Sequence, residues 1–360
     1  MFFYNLDIRD TRRELCVLIP AYNEHLVIKN SIQSLIKTGL RLEDIYLLDD
    51  GSTDRTAETA KEFQINLIRN NVQMGKAESI NRAIKEFEIP KKYRLMSLLD
   101  ADTQVNIKYF EHIIKAFDDN PEAVVVCGQP KSLPHNWITA YRAYSYFVNH
   151  SVYKPGQSIM KVITVASGCA TTFKTDLFKS LEWETDTLVE DMDITIQIHR
   201  KKLGKLFFEP RAITYTQDPR TIDDYIGQMN RWNTGMWQVI KKHRIPFGWT
   251  GLDAELALLL GEAMAYSGFM FLLPLWLFLK PSFVLWLLLM DQLTVISIVL
   301  WACLKEKRWD LLKYFPIFIT VRYIDYGILL STFWNTIIKQ ELSLEWFKPA
   351  RYRTDSPKEG

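Results

Sequence analysis

Short apolar segments alternate with helical patterns between Leu15 and Cys127, and this alternation restricts the fold more than any other feature of the chain. Strands that alternate with helices of about 10 to 15 residues are typical of βαβ units, whose strands run parallel. The sequence therefore predicts an α/β fold with a mainly parallel sheet. The predicted strands are 15–20, 45–48, 65–68, 93–99 and 123–127, and the predicted helices are 24–37, 53–63, 76–87 and 107–117.

Two carboxylates, Asp100 and Asp102, follow directly after the predicted strand 93–99. In an open α/β sheet, ligands bind at the carboxyl ends of the strands. Two acids this close repel each other unless a cation lies beside them, so the pair predicts Mg²⁺ or Mn²⁺ carrying a phosphorylated ligand. The alternative is a turn at the strand end, in which Asp102 caps a helix that starts near Val105.

Other polar side chains also stand just after predicted strands, namely Asn23, Glu24, Asp49, Asp50 and Asn70. Because the carboxyl ends of parallel strands meet at one edge of a sheet, these side chains are expected to gather there. A solvated surface would scatter them along the chain. The grouping predicts a nucleotide-binding crevice and favours the functional interpretation of the two acids after strand 93–99.

Two further groups of candidate site residues lie between 166 and 202. Small residues, among them Gly168 and Cys169, precede a predicted strand, where they either let the backbone approach a ligand or form a tight turn. Glu190 and Asp191 stand in the first turn of a predicted helix. The helix dipole alone favours acids at that position, but a carboxylate there can also serve as a general base.

Two amphipathic helices are predicted further along the chain. Aromatic residues at helical spacing in 137–153 indicate a helix that packs on the sheet or lies at a membrane surface. In the helix predicted at 221–242, Gln228, Arg231 and Trp232 are spaced to share one face. That face offers an amide, a guanidinium that suits a diphosphate, and a flat ring for a sugar.

Three long apolar segments follow, at 256–279, 282–304 and 311–338. Each reaches the roughly 20 residues that a helix needs to cross a bilayer. Basic clusters at 241–244 and 305–308 flank them, and the positive-inside rule places these clusters and the preceding domain in the cytoplasm. Three crossings would send the C-terminal tail outside, although its basic residues favour the inside. These residues are Lys339, Lys348, Arg351 and Arg353. The alternative is that one of the three segments is re-entrant or interfacial.

Four charged residues, Glu262, Asp291, Arg322 and Asp325, lie within the apolar segments. Charges inside a membrane face a protein interior or a polar pathway. Arg322 and Asp325 stand three residues apart in the sequence. They are therefore expected either to neutralise each other or to line a polar path.

Charge and cysteine content exclude several classes of function. The chain has 44 basic and 42 acidic residues, and its net charge of +2 predicts no affinity for nucleic acid. Its four cysteines lie far apart without paired spacing, which argues against a zinc site and a disulfide framework. Residues 1–13 are polar and charged, so we expect no signal peptide and a cytosolic N-terminal domain.

The motifs occur in one order along the chain: 21–24, 49–52, 75–76, 100–102, 168–170, 190–191 and 228–232. This order resembles family 2 glycosyltransferases, above all the membrane-integrated branch of cellulose, chitin, hyaluronan and poly-N-acetylglucosamine synthases. The resemblance implies a Rossmann-like GT-A catalytic domain followed by amphipathic interfacial helices and C-terminal transmembrane helices. The expected parts are a cytosolic catalytic domain at 1–220, the interfacial helix at 221–250, a transmembrane region at 251–340 and a polar tail at 341–360.

The resemblance also implies inverting transfer of a sugar from a nucleotide-sugar donor, which is expected to be UDP-linked. Asp49 or Asp50 would recognise the uracil, and Lys76 would help to hold the nucleotide. Asp100 would contact the donor, and Asp102 would bind the Mg²⁺ or Mn²⁺ that bridges its diphosphate. The resemblance thus assigns these five residues to the donor and its metal.

The remaining roles concern catalysis and the acceptor. By the same resemblance, Asp191, next to Glu190, would deprotonate the acceptor hydroxyl, and Arg231 would steady the leaving diphosphate. Trp232 would border the acceptor. The other expected contacts are Gln228 with the donor and Gly168 and Cys169 with the acceptor.

Synthases of this branch commonly carry transmembrane helices before the catalytic domain, and none is recognised in this sequence. Three spans are few for a polysaccharide channel, which predicts a homo-oligomer, a partner subunit, or an acceptor linked to a lipid. We therefore expect a multi-pass membrane protein that elongates a glycan, in contact with membrane lipid. The alternatives are transfer of a single sugar to a polyprenyl or glycolipid acceptor, and a silent scaffold that binds nucleotide sugar.

Overall fold

Eight strands form one sheet in the computed structural model, which describes residues 12–341, 343–344 and 346–353. The strands are β1 Arg13–Ala21, β2 Ile45–Asp49, β3 Asn66–Arg69, β4 Tyr93–Leu98, β5 Gln104–Val105, β6 Ala123–Ser132, β7 Thr171–Lys174 and β8 Lys205–Thr216. Their order is β3-β2-β1-β4-β7-β6-β8-β5. Residues 1–11, which bear on the expected lack of a signal peptide, lie outside the described residues.

Helices cover both faces of the sheet and make up the C-terminal region. They are α1 Ile28–Lys37, α2 Thr56–Glu62, α3 Lys76–Glu86, α4 Ile89–Lys92, α5 Tyr109–Asp119, α6 Trp137–Val148, α7 Lys154–Met160, α8 Glu190–Arg200, α9 Ile222–Lys242, α10 Gly251–Phe271, α11 Leu273–Leu279, α12 Pro281–Glu306, α13 Leu311–Tyr314 and α14 Phe318–Phe333.

Strand β1 is apolar on both faces because it lies in the middle of the sheet. Val17 and Ile19 pack into one core cluster with residues of α1 and α5, and Cys16 and Leu18 pack into a second with residues of α3. A parallel strand buried on both sides has a continuous apolar sequence instead of an alternating one. Such continuous apolar runs are the pattern from which the strands of the first half were predicted.

The sheet is mixed, which corrects the expectation of a mainly parallel one. The pairings β1–β2, β1–β4, β2–β3 and β6–β8 are parallel, whereas β4–β7, β6–β7 and β5–β8 are antiparallel. Strands β5 and β8 were not predicted, because β5 has two residues and β8 is interrupted by exposed Pro210 and Arg211. The helix expected near Val105 begins at Tyr109, so Asp102 caps no helix.

The aromatic segment at 137–153 forms α6 and a π turn. Asn136 begins the helix with a capping box to Thr139. Tyr141 and Tyr144 pack on Phe318 of α14, with ring centroids 5.5 and 5.2 Å apart. The aromatic face of α6 therefore packs against the C-terminal helices.

Two helices, α10 and α12, are long and apolar enough to cross a membrane, among the residues that the structure describes. The first predicted span is interrupted at Leu272, after which α11 begins. The third is divided at Phe315–Ile317, where Pro316 removes a backbone donor, and its longest piece is α14, with 16 residues. The structure thus differs from the expectation of three continuous spans.

Three of the four charged residues in the apolar segments pair with each other or with tyrosines, whereas Glu262 is exposed. Arg322 contacts Asp291 at 2.8 and 2.9 Å and not the expected Asp325. Asp325 instead accepts hydrogen bonds from Tyr141 and Tyr225, both at 2.6 Å. Of the two interpretations of these charges, internal pairing is therefore the one that the structure favours.

Candidate active site

The carboxyl ends of β1, β2 and β4 lie side by side, because these strands are parallel neighbours in the sheet. The loops that follow them carry Glu24, Asp50, Asp100 and Asp102. Glu24, Asp50 and Asp102 are buried, with exposed fractions of 5, 4 and 6%. The predicted gathering of polar groups at one edge of the sheet is confirmed.

Asp50 holds the loop that leads into α3. One carboxylate oxygen accepts hydrogen bonds from the Asn70 amide, the Ser79 hydroxyl and the Met74 backbone amide, and the other accepts one from the amide of Gly75. This set of bonds fixes the start of the helix on which Lys76 stands.

Asp49 has no exposed surface, accepts a hydrogen bond from the Ser52 amide and lies 3.2 Å from the Arg69 guanidinium. Gly51 separates Asp49 and Asp50 from Ser52, with φ of 78°, and a Cβ there would lie 2.9 Å from the backbone of Val72. The two acids therefore shape this turn, and their role in uracil recognition stays a prediction.

Lys76 joins two acids from different parts of the chain. Its Nζ lies 2.8 Å from Asp100 and 2.7 Å from Glu190. Burial lowers the pKa of Lys76, but the two carboxylates raise it more, so the amine is charged. Burial raises the pKa of Asp100, and the ammonium more than reverses this, leaving it below its ordinary value. A Cβ at Gly168 would lie 3.2 Å from Nζ, so glycine permits this close approach.

Asp191 stands in the first turn of α8, where its carboxylate accepts hydrogen bonds from the amides of Gly168 at 3.2 Å and Met192 at 2.8 Å. Burial and the neighbouring Glu190 raise the pKa of Asp191 to about 6, against the opposing effect of Lys76. A carboxylate with such a pKa is ionised at neutral pH and more basic than an exposed aspartate. This is a suitable pKa for a general base.

Arg231 projects from α9 toward the same acids. Its guanidinium donates to the carbonyl of Leu188 at 3.2 Å, and its Nε is buried without a partner among the described residues. Burial lowers the pKa of Arg231, while Glu190, Asp191 and Asp100 raise it. These electrostatic interactions place Arg231 beside the carboxylates as the sequence predicted.

The other candidate residues differ in how close they lie to this centre. Burial raises the pKa of the Cys169 thiol, and the nearby Asp100, Asp102 and Asp191 raise it further, so Cys169 borders the acids. Trp232 instead stacks with Arg142, whose Cζ lies 4.7 Å from the ring. The side-chain oxygen of Gln228 is buried without a partner in the described part of the chain.

The C-terminal tail enters this site, which the sequence did not predict. Arg351 contacts Asp102 at 2.6 Å and Glu24 at 2.8 and 2.9 Å. Lys348 lies 2.9 Å from Glu24 and donates to the carbonyl oxygens of Tyr22 and Asn23. Of the two sides that the sequence left open for the tail, the structure therefore favours the side of the catalytic domain. The basic composition of the tail was the signal in the sequence that favoured the side of the catalytic domain.

Aromatic residues hold the same tail against α9. The ring of Trp346 lies 4.2 Å from the Arg231 guanidinium carbon. A Cβ at Gly227 would lie 2.4 Å from the ring of Phe347, so only the small residue leaves room for that ring. Trp346 and Arg351 are thus site residues that were not assigned a role from the sequence.

The residues at Asp102 fit a divalent cation. Carboxylate oxygens are the ligands that Mg²⁺ and Mn²⁺ prefer, and Glu24 and Asp102 already share one cation, the Arg351 guanidinium. Burial raises the pKa of Asp102 to about 6 while Arg351 opposes the rise, so the acid lacks enough compensating charge. A metal bound there would supply that charge.

A second acidic group, Glu184, Asp186 and Asp193, is accounted for by ion pairing. Its oxygens lie within 4.8 Å of one another. The Lys242 ammonium contacts these acids at 2.6, 2.6 and 3.1 Å, and His243 contacts Asp193 at 2.7 Å. This group contains none of the predicted metal ligands.

The mixed α/β sheet, with acids at the ends of its parallel strands, has a GT-A-like fold. The same fold occurs in a mannosyltransferase from Pyrobaculum calidifontis, solved with GDP-mannose and Mn²⁺, at a TM-score of 0.60 and 15% identity, over 92% of this chain and 88% of that one. Residues 16–181 match the family described as glycosyl transferase family 2. The family match and the fold therefore agree with the resemblance to family 2 glycosyltransferases that the motif order carries.

Curated relatives include poly-beta-1,6-N-acetyl-D-glucosamine synthases. The Staphylococcus epidermidis protein is 29% identical over 229 residues, which are 62% of this chain and 54% of that protein. The protein of Staphylococcus aureus strain COL is 25% identical over 237 residues, 64% of this chain and 56% of that protein. The chain thus spans about half the length of the curated relatives it matches.

Proposed function

We propose that the chain transfers N-acetylglucosamine from a UDP-linked donor, with inversion and a divalent metal, to a growing polysaccharide at the membrane. One observation carries the proposal: Lys76, Asp100, Asp102, Asp191 and Arg231 surround one centre. The sugar follows from the names of the synthases to which the chain is similar. The proposal keeps the catalytic domain at 1–220, the interfacial helix at 221–250 and the membrane region at 251–340.

The chemistry requires one base and several cations. Asp191 takes the proton of the acceptor hydroxyl while the hydroxyl oxygen attacks the anomeric carbon from the face opposite the diphosphate. The bond from the sugar to the diphosphate breaks, and Lys76 and Arg231 stabilise the charge that develops on the leaving group. Mg²⁺ or Mn²⁺, held by Asp102 beside Glu24, would neutralise further charge on the diphosphate. Because the site residues stand at the fixed ends of strands, they hold the donor and the acceptor in a reactive orientation.

The direct test incubates purified full-length chain with Mn²⁺ and a panel of radiolabelled donors: UDP-N-acetylglucosamine, UDP-glucose, UDP-glucuronate and GDP-mannose. We expect nucleotide release and labelled products longer than one sugar with UDP-N-acetylglucosamine. Products that stop at one added sugar would instead identify the single-transfer alternative with a lipid acceptor, which the two candidate spans also support. Absence of nucleotide release with every donor would contradict both functions.

Activity should fall on the acidic side of neutrality. The base works only when it is ionised, and the pKa of Asp191 is about 6. With Mn²⁺ at saturating concentration, so that Asp102 stays ionised, we expect kcat/KM to be constant above pH 7 and to decrease about tenfold for each pH unit well below 6. The measurement is nucleotide release from pH 5 to 8, with circular dichroism at each pH to verify folding. A profile that stays flat down to pH 5 would exclude Asp191 as the base.

Displacing the tail should increase metal affinity. In Gly227→Ala, the new methyl group overlaps the ring of Phe347 and forces the tail away, while alanine is favourable within a helix. Without Arg351 as a competitor, Mn²⁺ should bind Asp102 about tenfold more tightly, since charge-assisted hydrogen bonds contribute about 1.5–3 kcal/mol. Electron paramagnetic resonance titration with Mn²⁺ measures the change.

Two variants complete this test. Arg351→Ala removes the competitor directly and should give the same increase, whereas Gly261→Ala adds a methyl group where no atom lies within 4 Å and should change nothing. Unaltered Mn²⁺ affinity in both Gly227→Ala and Arg351→Ala would show that the tail does not compete for this position.

A further inference from the structure

A cavity of about 250 Å³ lies at the start of α10, outside the site described above. Its lining includes Lys161, Arg200 and Lys205, together with Thr250 and the first residues of α10. Pockets for drug-sized ligands begin at about 300 Å³, so this one suits a small charged group better than a whole lipid or nucleotide sugar.

The cavity carries two positive charges that the described residues do not compensate. Arg200 is neutralised by Asp253, with contacts of 2.6 and 2.7 Å. Neither Lys161 nor Lys205 has an acidic partner among the described residues, and the Lys161 ammonium lies 3.3 Å from the ring centroid of Phe207. The unpaired ammonium groups predict an anionic ligand.

The start of α10 adds to the positive electrostatic potential of the cavity. Thr250 caps the helix through a capping box with Asp253. The amides of the first turn of a long helix carry partial positive charge, and Gly251 and Leu252 of this turn line the cavity. The pair of Arg200 with Asp253 ties α8 to this helix start, so the wall of the cavity is held in place.

Large exposed apolar side chains stand next to the lining residues along the chain. Ile159 is 80% exposed, Phe247 is 72% exposed and Trp249 is 90% exposed, and they stand close in sequence to lining residues Met160 and Thr250. Large exposed apolar residues beside a basic cavity are typical of a membrane interface, where aromatic rings lie at headgroup level. Helix α10, which begins here, is one of the two candidate spans.

We propose that this cavity binds the phosphate headgroup of an anionic phospholipid, with Lys161 and Lys205 as the cationic contacts and Phe247 and Trp249 in the interface. The inference takes from the proposed function only that α10 enters a bilayer. A phosphodiester fits the cavity, the two charges and the helix start, while the acyl chains would lie along the exposed apolar side chains. Basic pockets beside membrane helices bind such headgroups.

Native mass spectrometry of the full chain in detergent tests the site with dioctanoyl phosphatidylglycerol, dioctanoyl phosphatidylcholine and inorganic phosphate. We expect phosphatidylglycerol to bind at least about tenfold more tightly than phosphatidylcholine. The variant Lys161→Gln/Lys205→Gln should weaken that binding about 30-fold, which corresponds to about 1 kcal/mol for each lysine. Lys201→Gln/Lys202→Gln removes the same charge from exposed positions outside the cavity and should change it less than threefold.

Equal weakening by both double variants would overturn the proposal, as would equal affinity for the two lipids. If inorganic phosphate binds as tightly as phosphatidylglycerol, the assignment of the ligand as a lipid is overturned. Nucleotide release, measured in parallel, checks that both double variants fold. Because lipid binding is measured without donor, failure of the transfer reaction with lipid binding intact would count against the proposed function alone.

Discussion

Asp191→Asn is expected to lower kcat by about 10³-fold while leaving the KM for the donor within about threefold. Loss of a general base costs about 10²- to 10⁴-fold, and the neutral amide cannot accept the acceptor proton. Asparagine has nearly the same shape and can still accept the hydrogen bond of Met192, so the first turn of α8 should remain folded. Nucleotide release under saturating donor measures the effect.

The matched control is Asp186→Asn, which makes the same chemical change at an exposed acid a few residues earlier. It should retain activity within about threefold, because Asp186 contacts Lys242 and not the site of transfer. Full turnover in Asp191→Asn would remove the base from the proposed reaction. Nucleotide-sugar binding without turnover in the unaltered chain would point to the scaffold alternative.

Asp102→Asn should have a comparable effect through the metal. A metal at a developing phosphate charge supplies several kcal/mol of transition-state stabilisation, so its loss predicts a decrease in kcat of about 10³-fold. Mn²⁺ affinity should fall more than about tenfold, because a neutral amide replaces a charged ligand. The substitution also removes a charged partner of Arg351, which keeps its two contacts with Glu24.

Kinetics over a range of Mn²⁺ concentrations separates these effects, since excess metal should partly restore turnover in the variant. Asp118→Asn, at a half-exposed carboxylate that pairs with Arg94, serves as the control and should behave as the unaltered chain. If chelation by EDTA leaves the unaltered chain fully active, the metal has no part in the reaction and this prediction is wrong.

Much of the candidate site could be predicted from the sequence, because each part of it is a local pattern. Asp100 and Asp102 follow an apolar strand, Lys76 opens a helix, and Glu190 and Asp191 open another. Parallel strands bring their ends to one edge, so short-range patterns were sufficient to group these residues. Strand β8 was missed because exposed residues interrupt its apolar pattern.

Other features depended on packing between distant elements. Arg322 pairs with Asp291, 31 residues away, although Asp325 stands nearer in the sequence. The third apolar segment has the composition of a span, but it is broken at Pro316 and packs through α14 against α6 and α10. Composition shows that a segment is apolar, but it does not show whether lipid or other helices cover the apolar face.

The sequence by itself determined the α/β class, the acids at the strand ends and the placement of Asp191 and Arg231 on two helices. Only the tertiary structure showed that Arg351 returns to Glu24, 327 residues earlier, and to Asp102. A strand or helix is encoded by neighbouring residues, whereas the partner of a charged tail depends on where the whole chain folds. The surroundings of Asp102 were therefore decided by long-range packing.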